Sequence, residues 1–141
     1  MRYLGIDYGT KRIGLALSGD EGNFAYPHLV LENNSKIIEQ IAEICRGEKV
    51  GEIALGWSLD YRRRENQIMK RIKIFQTRLA TATGLKVALE DEVLTTVEAN
   101  QEIGPPARTE RARSGGDDFT DARAAAIILR TYLAHRNLTS S

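Results

Sequence analysis

Three groups of acids in this chain stand where a carboxylate could do chemistry. Asp7 closes the apolar run Arg2-Tyr3-Leu4-Gly5-Ile6-Asp7, where a carboxylate is costly to desolvate unless it is paired or metal-bound. Glu90, Asp91 and Glu92 follow a second apolar run at 86–89, and Asp117, Asp118 and Asp121 stand before a long apolar pattern. Each group has an ordinary explanation. An Asp can organise a turn through its own backbone, adjacent charges at a strand end are usually solvated, and an Asp in a first helical turn complements the dipole, with Thr120 or Asp118 as N-cap. Taken together they suggest more, because two divalent ions about 4 Å apart need hard oxygen ligands converging from separate segments. Asp7, Glu92 and Asp121 could supply them. Gly9-Thr10 behind Asp7 adds a tight turn whose exposed amides can hold a phosphate.

Other chemistries lack their residues. There is no HExxH, no cysteine pair and no GxxxxGK[ST] loop. His28 and His135 have no companions at ligand spacing, and they read as a strand residue and a helix-end cation. Twenty Lys and Arg against nineteen Asp and Glu give a net charge of only +1, so a polyanionic partner must be argued from local clusters. Two such clusters exist: Arg62, Arg63 and Arg64 continuing to Lys70, Arg71 and Lys73, and Arg108, Arg111 and Arg113 just ahead of the last acids. Either is solvated or grips phosphates. The lone Cys45, among Ile41, Ala42 and Ile44, reads as a small buried residue. No run is long and apolar enough for a membrane span. Asp7 interrupts what a signal peptide would need, so a cytoplasmic location is expected.

The elements that must position these residues follow from periodicity. Arg2 to Asp7, Ile13 to Ser18 and Phe24 to Leu31 read as an antiparallel three-stranded meander, and Pro27 puts the third strand at an edge. Asn34-Ser35 opens a helix to about Gly47 with Ile37, Ile41, Ile44 and Cys45 on one face. Glu52 to Trp57 is a short buried strand. After a polar loop, Ile68, Ile72, Phe75, Leu79 and Ala82 mark a long helix ended by Gly84. Lys86 to Leu89 is a last strand. Thr95-Thr96-Val97-Glu98 has the form of a capping box for a short helix, and 102–116 reads as a mobile loop. A final helix starts near Asp121, with Ala122, Ala125, Ala126, Leu129, Tyr132 and Leu133 on one face. The expectation is one α/β domain over 1–141, with the later strands parallel to the first through right-handed crossovers. That places their C-terminal ends and Asp7 on one rim.

These residues resemble the YqgF family, also called RuvX, described as Holliday junction resolvases and pre-16S rRNA nucleases. The stretch from Gly5 to Ala16 is similar to the family's opening D-x-G-x-[KR]-[RS]-[IV]-G, the segment from Asp91 to Thr96 to its D-E-R-[LF]-[ST]-[ST], and that from Asp121 to Leu129 to its D-x-x-[AS]-A-x-x-I-L helix. The resemblance covers nearly the whole chain. It implies an RNase H-like fold, a five-stranded mixed sheet in the order 3-2-1-4-5 with helices on both faces, and Asp7, Glu92 and Asp121 as catalytic, metal-binding acids for two Mg2+ or Mn2+ ions. Gly9, Thr10, Lys11, Arg12, Arg108, Arg111, Arg113 and Arg123 are expected to contact substrate. Three departures bear on substrate preference and rate. Val93 replaces the usual Arg, and the stretch from Gly56 to Tyr61 keeps only the first glycine of the family's G-x-P loop; the Lys often found shortly before the last Asp is also absent.

The expected activity is metal-dependent phosphodiester hydrolysis by a monomer or weak homodimer. From the resemblance, the substrate would be the 5′ end of precursor 16S rRNA, with branched DNA second. One rival is an actin-like or sugar-kinase-like ATPase, since Asp7-Tyr8-Gly9-Thr10 also resembles their phosphate loop; such enzymes clamp ATP between two domains, for which this chain is too short. The other is a nucleic-acid-binding module without turnover, which Val93 permits.

Overall fold

The computed structural model describes residues 1–57, 65–90 and 116–139. The chain runs β1 (Arg2–Tyr8), β2 (Arg12–Ser18), β3 (Ala25–Glu32), α1 (Ile37–Gly47), β4 (Val50–Trp57), α2 (Glu65–Thr83), β5 (Lys86–Leu89) and α3 (Gly116–Thr139). The strands form one sheet in the order β3-β2-β1-β4-β5. Strand β1 pairs antiparallel with β2 and parallel with β4, and β5 adds parallel to β4. Order and strand directions are those expected. The polar loop after Trp57, the capping box at 95–98 and most of the loop at 102–116 lie outside the described residues.

Period-two alternation sorts the strand residues onto two unlike faces. Leu4, Ile6, Tyr8, Ile13, Leu15, Leu17, Ile53, Leu55 and Val87 point to one side. There they meet Ile37, Ile41 and Cys45 of α1 and Ile68, Ile72, Phe75 and Leu79 of α2. The α2 stripe ends one turn earlier than its spacing predicts, because Ala82 is exposed just before Gly84 turns the chain out at φ 72°. Helix α1 does end at Gly47, but the left-handed residue is Lys49, at φ 58°.

The opposite side is lined by Tyr3, Ala16, Ala54 and Ala88, against Ala125, Ala126, Leu129, Tyr132 and Leu133 of α3. Small residues let this helix come close. A β-carbon on Gly5 would lie 2.6 Å from Leu129 Cβ and 2.8 Å from the Ala125 carbonyl oxygen, a contact no side chain could relieve. Helix α3 starts five residues before the expected position, at Gly116, so Asp121 stands in its second turn. Thr120 and Asp118 are therefore helical, and neither is the N-cap. Ile127, Ile128 and Thr131 are buried too, making the covered surface of α3 wider than one amphipathic stripe.

Pro27 is accommodated as expected at the sheet edge. It pairs with Ala16 where the β2–β3 register shifts, so that Leu29 faces Leu15 and His28 is the extra residue. A bulge at the edge is where a missing N–H costs least.

Candidate functional site

Alternation along β1 fixes the direction of Asp7. Tyr3, Gly5 and Asp7 share the α3 side, and Asp7 is only 6% exposed although it is charged. Its partners on both neighbouring strands are glycines, Gly14 on β2 and Gly56 on β4. No side chain flanks the carboxylate within that row of the sheet. Gly14 has a second reason to be glycine: a β-carbon there would collide with the main-chain carbonyl of Asp121. The second turn of α3 thus rests on the residue paired with Asp7, which brings two acids 114 positions apart in sequence (121 − 7) to one end of the sheet. Asp7 Oδ1 is a buried atom to which no hydrogen bond is donated, while the carboxylate as a whole has interactions of its own.

Asp121 is more open, its side chain 27% exposed, and its Oδ2 accepts a 2.9 Å hydrogen bond from Arg12 Nε. Arg12 opens β2, directly after the turn that follows Asp7. That turn is held from outside: the Asn33 side-chain amide donates to the Gly9 carbonyl at 2.8 Å, and the Asn33 N–H donates to the Lys11 carbonyl at 2.9 Å. Thr10 is half-buried and Lys11 exposed at its tip, while Arg123 is half-buried on α3.

Glu90 continues the same row of the sheet. Leu55 pairs with Leu89, and the Glu90 N–H donates to the Leu55 carbonyl at 2.8 Å, which sets Glu90 beside Gly56. Its carboxylate is buried and meets His135 Nδ1 of α3 at 3.0 Å. His135 therefore has a partner across the fold that its sequence neighbours do not reveal. Glu92, Arg108, Arg111 and Arg113 lie outside the described residues. Among the described residues no group of three His, Cys, Asp or Glu side chains is gathered as metal ligands. The two described acids of the expected set, Asp7 and Asp121, present carboxylate oxygens, hard donors that suit Mg2+ or Mn2+.

Sequence reasoning missed Asn33, which anchors the turn, and the part played by Gly14 and Gly56. Both glycines sit at alternating positions with Ala16 and Ala54, a small-residue pattern on one strand face that marks a helix packed close.

A second polar cluster lies lower on the same face. Tyr132 of α3 donates a hydrogen bond to Glu52 Oε2, and Arg136 Nη1 meets the same oxygen at 3.2 Å. Arg136 also lies over the Tyr3 ring, 5.5 Å from its centroid. Burial, then the hydrogen bond to Glu52, pushes the Tyr132 hydroxyl up to about 12. These residues bind α3 to β1 and β4.

Comparison with known proteins gives a consistent picture. The RuvX family, described as Holliday junction resolvase, matches residues 1–135. A protein of Maridesulfovibrio salexigens named "Putative pre-16S rRNA nuclease" is 34% identical over 136 residues, covering 95% of this chain and 98% of its own length. A protein of the same name from Anaeromyxobacter sp. is 38% identical over 142 residues, with 97% and 99% covered. Among solved structures, Thermus thermophilus RuvC in complex with Holliday junction substrate superposes with a TM-score of 0.62 at 16% identity, covering 96% of each chain. That likeness identifies the fold as RNase H-like.

Proposed function

Because the chain belongs to the RuvX family of Holliday junction resolvases, a family of nucleases, we propose that it hydrolyses phosphodiester bonds with divalent metal ions held by Asp7, Asp121 and Glu92. The observation that carries this reading is the packing of the Asp121 turn on Gly14, the β2 partner of Asp7. Asp7 is buried although charged, and the close approach of α3 that leaves no room for a β-carbon at Gly14 brings a second acid to the same end of the sheet. When bound there, two Mg2+ or Mn2+ ions would supply an activated water and neutralise charge on the leaving oxygen.

The chain's own residues divide the remaining work. Asp7, fixed by the middle strand of the sheet, would hold the ions together with Asp121 and Glu92. Asp121 is presented from α3 and held by Arg12, so Arg12 acts first as a positioning residue. The Gly9-Thr10 turn, anchored by Asn33 and carrying Lys11 at its tip, offers amides and a cation to the substrate phosphates. Arg123, Arg108, Arg111 and Arg113 add phosphate contacts.

Precursor 16S rRNA is the leading substrate, supported by the names of the two relatives, and branched DNA is second. No described helix is long and apolar enough to cross a membrane; we place the protein in the cytoplasm, as a single domain acting as monomer or weak dimer. The test is to incubate the purified protein with Mg2+ or Mn2+ and either precursor rRNA or a four-way DNA junction, and to map the ends. Cleavage of the rRNA at its 5′ side is expected. Cutting of the junction alone would favour the second substrate. Asp7→Asn should lower cleavage by more than roughly a hundredfold, since even outer partners of metal ligands are worth 10–100-fold, with little change in melting temperature. An unchanged rate would remove Asp7 from the mechanism.

A further inference from the structure

On the other side of the same rim lies a cavity of about 300 Å3, lined among others by Tyr8, Asn33, Arg71, Ile74, Phe75 and Arg78. Tyr8 follows Asp7 in β1 and so faces the opposite side of the sheet. Asn33 joins the two places directly, since its side chain holds the Gly9 carbonyl while its residue lines the cavity. A strand crossing the turn beside Asp7 would next meet this opening.

Its chemistry suits a nucleotide. Tyr8 and Phe75, both buried, form an edge-on aromatic pair with centroids 5.1 Å apart, and Ile74 on the same lining is 60% exposed. Arg71, Ile74 and Arg78 recur at spacings of three and four, which puts them on one face of α2. Both arginines are exposed, and neither makes a hydrogen bond or salt bridge among the described residues. Helix α2 carries Lys70, Arg71, Lys73 and Arg78 against the single acid Glu65, so no i, i+4 partner offsets them. A solvated helix face would explain exposed arginines, but not their convergence with an exposed isoleucine on a concave surface. The volume is at the lower end of the range for small-ligand sites, about 300–1,000 Å3, enough for one nucleotide and too little for a duplex.

We propose that this cavity is a subsite for one unpaired nucleotide of the substrate strand, with its base against Ile74 and its two flanking phosphates on Arg71 and Arg78. The arginines stand seven positions apart, about 10.5 Å along the helix, so the pair calls for two phosphates, which a strand has and a free nucleoside monophosphate lacks. The subsite rests on the proposed nuclease function only in that its ligand is a polynucleotide.

The test measures binding of a fluorescent 12-nucleotide single-stranded RNA in EDTA, across a salt series, for the full chain and for Arg71→Ala/Arg78→Ala. Binding should weaken about tenfold, and the slope of log K against log salt should fall by about 1.4, at about 0.7 per lost phosphate contact. Arg71→Lys/Arg78→Lys should restore most of the slope, because a phosphate contact needs the charge. Adenosine monophosphate should compete no better against the wild type than against the alanine variant. An unchanged slope in the alanine variant overturns the proposal, as does monophosphate binding that the variant loses while strand binding persists. Cleavage is assayed separately with Mn2+. A protein that never cuts but loses slope on substitution keeps the subsite and refutes the nuclease reading. One that cuts with unaltered KM and slope in the variant does the reverse.

Discussion

The two faces of the sheet are built from opposite kinds of side chain. The side covered by α1 and α2 is filled with Leu, Ile, Val and aromatic residues, and each buried aliphatic there stabilises by about 1.5–3 kcal/mol. The α3 side presents Gly5, Gly14, Ala16, Ala54 and Gly56, which bury little apolar area of their own. In exchange, a helix backbone reaches the sheet closely enough to set Asp121 over the partner of Asp7. The first face supplies most of the stability and tolerates some change of shape; the second spends apolar area on placement, and its tolerance is small.

Paired substitutions test this division, and the largest effect expected is on the aliphatic face. Leu55→Ala, at a fully buried position, should cost about 2–5 kcal/mol in denaturant melts while leaving the rate per folded molecule nearly intact. Gly14→Ala should cost less, about 1–3 kcal/mol for overpacking, but reduce cleavage much more, since a 1 Å misplacement of reacting groups can cost roughly a hundredfold. If Gly14→Ala cut at the wild-type rate, the close approach of α3 would be packing and nothing else.

A smaller effect is expected at Arg12. Its ion pair with Asp121 is half-exposed, so Arg12→Gln should change stability by less than about 1 kcal/mol. If the guanidinium orients Asp121, kcat should fall by about tenfold, some 1.4 kcal/mol, with KM nearly constant. A raised KM with kcat intact would return Arg12 to the direct substrate contact that the sequence motif implies.

Arg12 shows where sequence reading reaches its limit. The meander of β1, β2 and β3, the direction of the later strands and the edge position of Pro27 were legible because they follow from periodicity, crossover handedness and the missing N–H of proline, whereas the full order β3-β2-β1-β4-β5 was implied by the family resemblance. Asp7 was legible for a related reason, as a charge in an apolar run. The partners of these residues were not. Arg12 meets Asp121, and Glu90 meets His135, because α3 packs across several strands of the sheet, and no local pattern encodes which side chains meet there. The start of α3 lies earlier than composition suggests: Gly116, Asp117 and Asp118 read as a loop, whereas burial of the following turns lets the helix begin at Gly116.

The smallest effect expected compares one ionisable group from each face at high pH. Cys45, on the α1 side, is pushed up by burial from 9.0 to about 11, and Tyr132, on the α3 side, from 10.0 to about 12 by burial and its bond to Glu52. Both folded values are raised, so in each case the unfolded chain loses its proton first. The contribution is complete below the unfolded value and is lost as pH rises through the folded one. Wild-type stability should therefore decline from about pH 9, with Cys45 acting between 9 and 11 and Tyr132 between 10 and 12. Cys45→Ala should flatten the first part of that decline and Tyr132→Phe the second, each judged by its difference from wild type. The Tyr132 group faces Glu52 of β4, Arg136 of α3 and Tyr3 of β1. Glu52→Gln should therefore bring the Tyr132 transition to lower pH and leave that of Cys45 unmoved. Movement of both together would mean that the two faces unfold as one electrostatic unit, and the contrast between them would then hold for packing alone.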